Sequence, residues 1–322
     1  MYGLLIDIAD DLRNDLKKAD ACLEYASFLN DCWLFDKALK FYQKALDIRL
    51  ATLGENNPDT TEVYNKIGNA WIDKYYSDKA LEFYNKALEI RPHTLGETHP
   101  DIGKSYNNIG NVWKSKGDYD KALEFYCKAM DIWIRLFGED HSSVAICYSV
   151  IGDVWAKIGD FDKALEVYQK SLDLKIRLQG NNHSSVACGY NSIATIWIRK
   201  GDFDKVLEFC GKATDISRSW SYSDNGEKLS IALNYDMMNW AWQNKGDYEK
   251  ALECCNKVLD IRLSILGEAN PETAWACFMK GKCLDNLGRK NEAKSCFEKA
   301  RATALKFQSN TLCRKILEEC NT

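Results

Sequence analysis

The chain has 322 residues, 46% of them hydrophobic and 28% charged, with a formal net charge of -4. That balance is ordinary for a globular protein and leaves no basic field to recruit nucleic acid or an anionic membrane. No run of about 18 apolar residues is present to span a membrane, and the start at Met1 lacks the basic residues and long apolar core of a signal peptide.

Residues 1–18 carry Leu4, Leu5, Ile6, Ile8, Leu12 and Leu16 and read as the last helix of a truncated earlier repeat. Residues 19–308 keep rewriting one stretch. Asp36-Lys-Ala-Leu-Lys-Phe-Tyr42 returns at Asp78–Tyr84, Asp120–Tyr126 and Asp162–Tyr168, and more loosely at 204–210, 249–255 and 291–297. The steps between starts are 42, 42, 42, 42, 45 and 42 residues. A fixed period of this size marks a solenoid, in which no repeat buries its apolar face alone.

Each repeat reads as two amphipathic helices. In the third, Tyr106, Ile109, Val112 and Trp113 mark one helical face. Lys116-Gly117-Asp118 makes the turn, and Asp118 is placed to cap a second helix in which Ala122, Phe125, Ala129 and Ile132 recur every three or four residues. A loop follows, reading Phe137-Gly-Glu-Asp-His-Ser here and Leu95-Gly-Glu-Thr-His-Pro one repeat earlier. Residues 217–230 form the one irregular loop, which holds the three extra residues together with Trp220 and Tyr222. Residues 309–322 read as a short capping helix, with Leu312, Ile316 and Leu317 apolar.

Signals of chemistry are weak by comparison. Gly103-Lys104-Ser105 resembles the end of a phosphate loop, but the motif needs glycine at position 98, where Thr98 stands, and a preceding strand. His99, His141 and His183 share one loop position that is Asn57 and Asn270 in other repeats. A residue that recurs with the fold and alternates with Asn is expected to make a local turn hydrogen bond rather than bind metal. The 13 cysteines are odd in number, form no CxxC pair, and stand where other repeats carry ordinary helix residues, Cys210 for Tyr126 and Cys277 for Tyr106. They imply a cytoplasmic or otherwise reduced chain with nearly all its cysteines free. No catalytic, metal or cofactor site is expected.

The pattern resembles the tetratricopeptide repeat. Tyr64, Ile67, Gly68, Trp71, Ala80, Tyr84, Ala87 and Pro92 stand at the family's eight signature spacings, with the two aromatic types exchanged. The 42-residue period and the Leu-Gly-Glu loops look like the variety found in kinesin light chains and nephrocystin-3-like proteins. The kinesin light chains' coiled-coil heptads are absent from this sequence. The resemblance implies an all-α, right-handed superhelical solenoid of antiparallel helix pairs with about seven repeats.

It also implies a concave groove lined by the first helix of each repeat. Carried over position by position, that groove takes Asn65 and Asn69 from the second repeat, and Lys104, Asn107, Asn111 and Lys114 from the third. Ser149, Asp153 and Lys157 come from the fourth, Asn191 and Arg199 from the fifth, Trp240 and Gln243 from the sixth, and Phe278 and Lys282 from the seventh. Asn65, Asn107 and Asn191 form a ladder at one position, and an Asn amide both donates to and accepts from a peptide backbone. Asp20, Asp31, Glu62 and Asp73 make the early groove acidic, the middle is basic, and Trp240, Trp275 and Phe278 make the end aromatic. Kinesin light chain grooves accept a Trp flanked by acids, and a partner peptide with acidic residues beside an apolar anchor is expected here. The expected function is a non-catalytic, adaptor-like scaffold binding protein or peptide partners, without nucleic acid or membrane insertion. The alternative is a sensor segment of a larger signalling protein, gripping another domain of the same polypeptide.

Overall fold

The computed structural model describes residues 15–219 and 225–320, which form fifteen α-helices and no strand. Residues 1–14 of the expected first helix, Trp220 and Tyr222 of the irregular loop, and residues 321–322 lie outside the described residues. The chain divides into two compact units, Met1–Asp160 and Phe161–Thr322. The first holds α1 (Asp15–Asp31), α2 (Phe35–Leu53), α3 (Pro58–Asp73), α4 (Ser77–Leu95), α5 (Pro100–Lys116), α6 (Tyr119–Phe137) and α7 (Ser142–Ile158). The second holds α8 (Phe161–Gln179), α9 (Ser184–Lys200), α10 (Phe203–Ser219), α11 (Asn225–Asn244), α12 (Tyr248–Leu266), α13 (Pro271–Asn286), α14 (Lys290–Ala304) and α15 (Thr311–Glu319). Within each unit every helix packs on the next one along the chain, so the expected all-α stack of helix pairs is present.

The helix starts follow from the loop residue that the sequence singles out. Asn57 and Asn270 accept from the backbone N–H two residues on, at 2.9 and 2.8 Å. His99, His141 and His183 make the same bond through Nδ1 at 3.2 Å. These are N-caps, which satisfy one of the donors that a helix start leaves unpaired. Asp118, as expected, caps α6 by accepting from Lys121 N at 3.2 Å.

Packing inside a pair depends on small residues. Ala38, Ala80 and Ala122 are fully buried, and Gly110 lies under the Tyr126 ring, where a Cβ would come within 2.7 Å of Cε1. Adjacent repeats are tied by a recurring ion pair. Asp36 of α2 meets Lys74 just past α3 at 2.5 Å, and Asp78 meets Lys116 one repeat on. In the second unit Asp162 meets Lys200 at 2.5 Å and Asp204 meets Lys245. Each lysine also lies 5.0–5.6 Å from the centroid of a Trp in the helix it ends, namely Trp71, Trp113, Trp197 or Trp242. Exposed pairs of this kind contribute little singly, but they repeat along each unit. At the chain's end Cys313 and Ile316 of α15 are buried against Ala274, Phe278, Ala300 and Ala304, so α15 packs over the last helix pair.

Candidate functional site

The residues expected in the groove lie on the first helices of the pairs, and in each unit they fall into two rows with different surroundings. The inner row holds Asn65, Asn107 and Ser149 in the first unit, and Asn191, Asp236 and Phe278 in the second. In α3 the Asn65 amide, turned so that its oxygen faces the guanidinium, accepts from Arg91 Nη1 at 2.7 Å. Arg91 is only 4% exposed and donates again to the Asp101 carbonyl at 2.9 Å and to the Ser105 hydroxyl. Burial pushes its guanidinium below the ordinary value, against the opposing charges of Asp101 and Glu62. In the second unit Arg262 plays the same part, meeting Asp236 Oδ2 at 2.6 Å. Burial pushes the Asp236 carboxyl up, to about 6, although Arg262 pulls the other way.

Where the arginine is replaced, the asparagine is left over. Trp133 stands in register with Arg91, and a Cβ at Gly103 would meet its ring at 2.8 Å, so glycine makes room for the larger side chain. Ser217 stands in that register in the second unit. Asn107 and Asn191 each bury a side-chain oxygen with no hydrogen-bond partner. Of the expected ladder, Asn65 therefore serves the inward arginine, while Asn107 and Asn191 turn their oxygens into the buried side of the helix.

The outer row is open. In the first unit Asn69 and Asn111 are exposed, and the oxygen of each accepts from a buried tyrosine of the second helix in its own pair. Tyr84 and Tyr126 donate these bonds at 2.6 Å. Burial raises both phenols above their ordinary value, with Asp73 adding to the shift at Tyr84 and Asp153 at Tyr126, so both remain donors. The bond fixes the amide's orientation and turns Nδ2 outward, and no partner takes that nitrogen among the described residues. Asn69, Ile72, Asp73, Tyr84, Asn108, Asn111 and Ser115 line a cavity of about 350 Å³. Asn69 and Asn111 stand in the sequence reading; their tyrosine anchors do not, although the tyrosine recurs in every copy of the Asp-Lys-Ala-Leu stretch from 36 to 168.

The remaining candidates are mostly engaged. Lys104 pairs with Asp101 in its own helix at 2.9 Å. Lys114 pairs with Asp153 of the next repeat at 3.3 Å, which offsets the positive charge expected in the middle of the groove. Ser149 donates to the Ala145 carbonyl at 3.3 Å. Lys157 is exposed in the first unit and Arg199 in the second. Trp240 is 38% exposed and packs edge-on to Phe203 at 5.3 Å, and Gln243 donates to Asn239 at 2.7 Å. Phe278 corrects the expectation of an exposed aromatic end: it is 2% exposed, packed on Phe297 in the cluster that α15 closes. Lys282 is held by Glu319 of α15 at 2.8 Å. A second-unit cavity of about 400 Å³, lined by Leu259, Ala274, Cys277 and Lys299 among others, contains none of the candidates. Among the described residues no group of three or more His, Cys, Asp or Glu could hold a metal ion, and no helix is long and apolar enough to cross a membrane.

A tetratricopeptide repeat family model matches residues 77–132, 104–177 and 240–306, and a second matches 19–59. No curated protein matches the sequence. Among solved structures the chain is similar to BtubC (BKLC) from P. vanneervenii, at 20% identity and a TM-score of 0.63, over 72% of this chain and 92% of that one. It is similar, at 17% identity and a TM-score of 0.69, to a signal transduction ATPase with a tetratricopeptide repeat sensor from Pyrococcus horikoshii. That match covers 98% of this chain and 46% of that one. A candidate kinesin light chain from Podosopora anserina matches over 66% of this chain and 99% of that one, at 17% identity and a TM-score of 0.56. At these identities the likeness is one of fold.

Proposed function

We propose, from the premise that this chain belongs to the tetratricopeptide repeat family, that it is a non-catalytic scaffold which holds segments of partner proteins against its first helices. One observation carries the reading. Tyr84 and Tyr126 pin Asn69 and Asn111 at neighbouring repeats, so two amide donors face one cavity in fixed orientation. Donors spaced this way suit acceptors on a peptide, either backbone carbonyls or acidic side chains, and a pre-oriented donor loses less freedom on binding. In the second unit the half-exposed Trp240 supplies an apolar seat of its own. Thirteen free cysteines fit a reduced, cytoplasmic setting.

A photo-crosslinking amino acid at Ser115, which lines the cavity, tests the reading against the same residue at Glu124 on the exposed side of α6. Partner proteins should be trapped from Ser115 and lost when Asn69→Ala and Asn111→Ala are added. Trapping from Glu124 alone would move the site to the second helices. The sensor alternative draws support from the match of nearly the whole chain to 46% of the Pyrococcus ATPase that carries a tetratricopeptide repeat sensor. Under it, the segment crosslinked at Ser115 would belong to the same polypeptide.

A further inference from the structure

Five of the short turns that precede the Asp-Lys-type stretches use a glycine with positive φ: Gly117, Gly159, Gly201, Gly246 and Gly288, at φ values of 74° to 94°. The first two pairs put aromatic residues there instead. Trp33 has φ 62° and Tyr75 has φ 66°. Both close the same turn as the glycines, with Trp33 N bonded to the Asn30 carbonyl at 2.9 Å and Tyr75 N to the Ile72 carbonyl at 2.8 Å. The left-handed region is disfavoured for residues with a Cβ. Burial offers no compensation, since Trp33 is 74% exposed and Tyr75 is 88% exposed. Two adjacent repeats thus carry large apolar side chains in an unfavourable conformation, where the other five use glycine.

The two rings line one cavity of about 510 Å³, together with Asn30, Asp31, Phe35, Ile72 and Asp73. Two carboxylates lie in its wall and no cation does. Asp73 accepts from Asn30 at 2.7 Å, and the nearby Lys74 is committed to Asp36 at 2.5 Å. Aromatic faces beside unneutralised carboxylates attract a cationic side chain, through ring quadrupole and charge together. The geometry points to a binding site for an arginine- or lysine-bearing segment of a partner protein, held by Trp33 and Tyr75 with Asp31 and Asp73 as counter-charges. The site adjoins the cavity between Asn69 and Asn111 through Ile72 and Asp73, but it selects the opposite charge and needs no occupant in that cavity.

The test uses fluorescein-labelled nonapeptides that differ at one central residue, Arg, citrulline or Glu, in a Leu-Ser background, titrated at low and high salt. The variant Trp33→Gly with Tyr75→Gly restores the residue that the other repeats use, so its melting temperature should hold or rise. The Arg peptide should bind the full chain about tenfold or more tighter than the citrulline peptide, with the difference shrinking in high salt. The double glycine variant, and separately Asp31→Asn with Asp73→Asn, should lose that preference. Asn69→Ala with Asn111→Ala should keep it, which separates failure of this site from failure of the neighbouring one. No binding of the Arg peptide up to millimolar concentration, equal binding of Arg and citrulline peptides, a preference for Glu, or an undiminished preference in the double glycine variant would each overturn the inference.

Discussion

With the Asn65 amide oriented to accept, Arg91 Nη1 lies 2.7 Å from its side-chain oxygen, and this pairing sets the direction of Asn65. The same offset of 26 residues (65 to 91, 236 to 262) joins Asp236 to Arg262. At that offset Trp133 follows Asn107 and Ser217 follows Asn191, and both asparagine oxygens are unpaired. A buried guanidinium needs acceptors, and Asn65 and Asp236 supply them at two positions of the row.

Removing the arginine of the second unit should expose that dependence. Arg262→Met leaves the half-buried Asp236 without its counter-charge and should destabilise by roughly 2 kcal/mol. Adding Asp236→Leu removes the stranded carboxyl, and a large part of the loss should return. Chemical unfolding of the single and double variants reads both effects; a double variant no better than the single would show that Arg262 acts through packing alone.

The Asp236 carboxyl also predicts a pH effect. Its folded value is raised to about 6, chiefly by burial, above the ordinary aspartate value of 3.8. The folded chain therefore holds more protons than the unfolded chain between those values, and this residue's contribution to stability falls as pH rises through that window. The difference in stability between wild type and Asp236→Asn should change between pH 4 and pH 6 and level off above it. A difference that stays constant across the window would contradict the assignment.

The histidine caps predict a split between two substitutions. His99→Asn keeps an acceptor for Asp101 N and should leave the melting temperature nearly unchanged, as Asn57 and Asn270 already do this work elsewhere. His99→Ala removes the acceptor and should lose about 1 kcal/mol. Equal losses in both variants would mean that His99 matters for packing rather than capping.

Thiol reactivity should sort by depth. Burial pushes Cys147 and Cys210 up to about 12, and both side chains are inside the helix stack. Cys32 and Cys188 are exposed. Brief iodoacetamide treatment of the folded protein, followed by peptide mass spectrometry, should label Cys32 and Cys188 and spare Cys147 and Cys210. Labelling of the buried pair at the same rate would show that the repeats open readily.

The repeat, its helix pairs, the loop caps and the exposed positions of Asn69 and Asn111 were legible because each follows from a residue's place in a periodic pattern. The inner row was not, because the residue 26 positions further on varies between Arg, Trp, Lys, Ser and Ala, and only the arginines turn a row member inward. Phe278 was misplaced for a related reason. Its burial comes from α15, which closes over the ring in a cluster with Ala300 and Ala304. Lys114 and Asp153 are both visible as charges, yet their pairing spans 39 residues and cancels a charge that each would otherwise show.

The most direct measurement concerns the two amides held by Tyr84 and Tyr126. A partner segment crosslinked at Ser115 would be synthesised and its affinity measured for wild type, for Asn69→Ala with Asn111→Ala, and for Lys86→Ala with Lys128→Ala on the exposed face of the second helices. Each lost amide contact contributes about 0.5–1.5 kcal/mol, so the asparagine pair should weaken binding about tenfold while the helical circular dichroism and the lysine pair's affinity stay at wild-type levels. Wild-type affinity in the asparagine variant, with a loss in the lysine variant, would contradict the account and assign binding to the second helices.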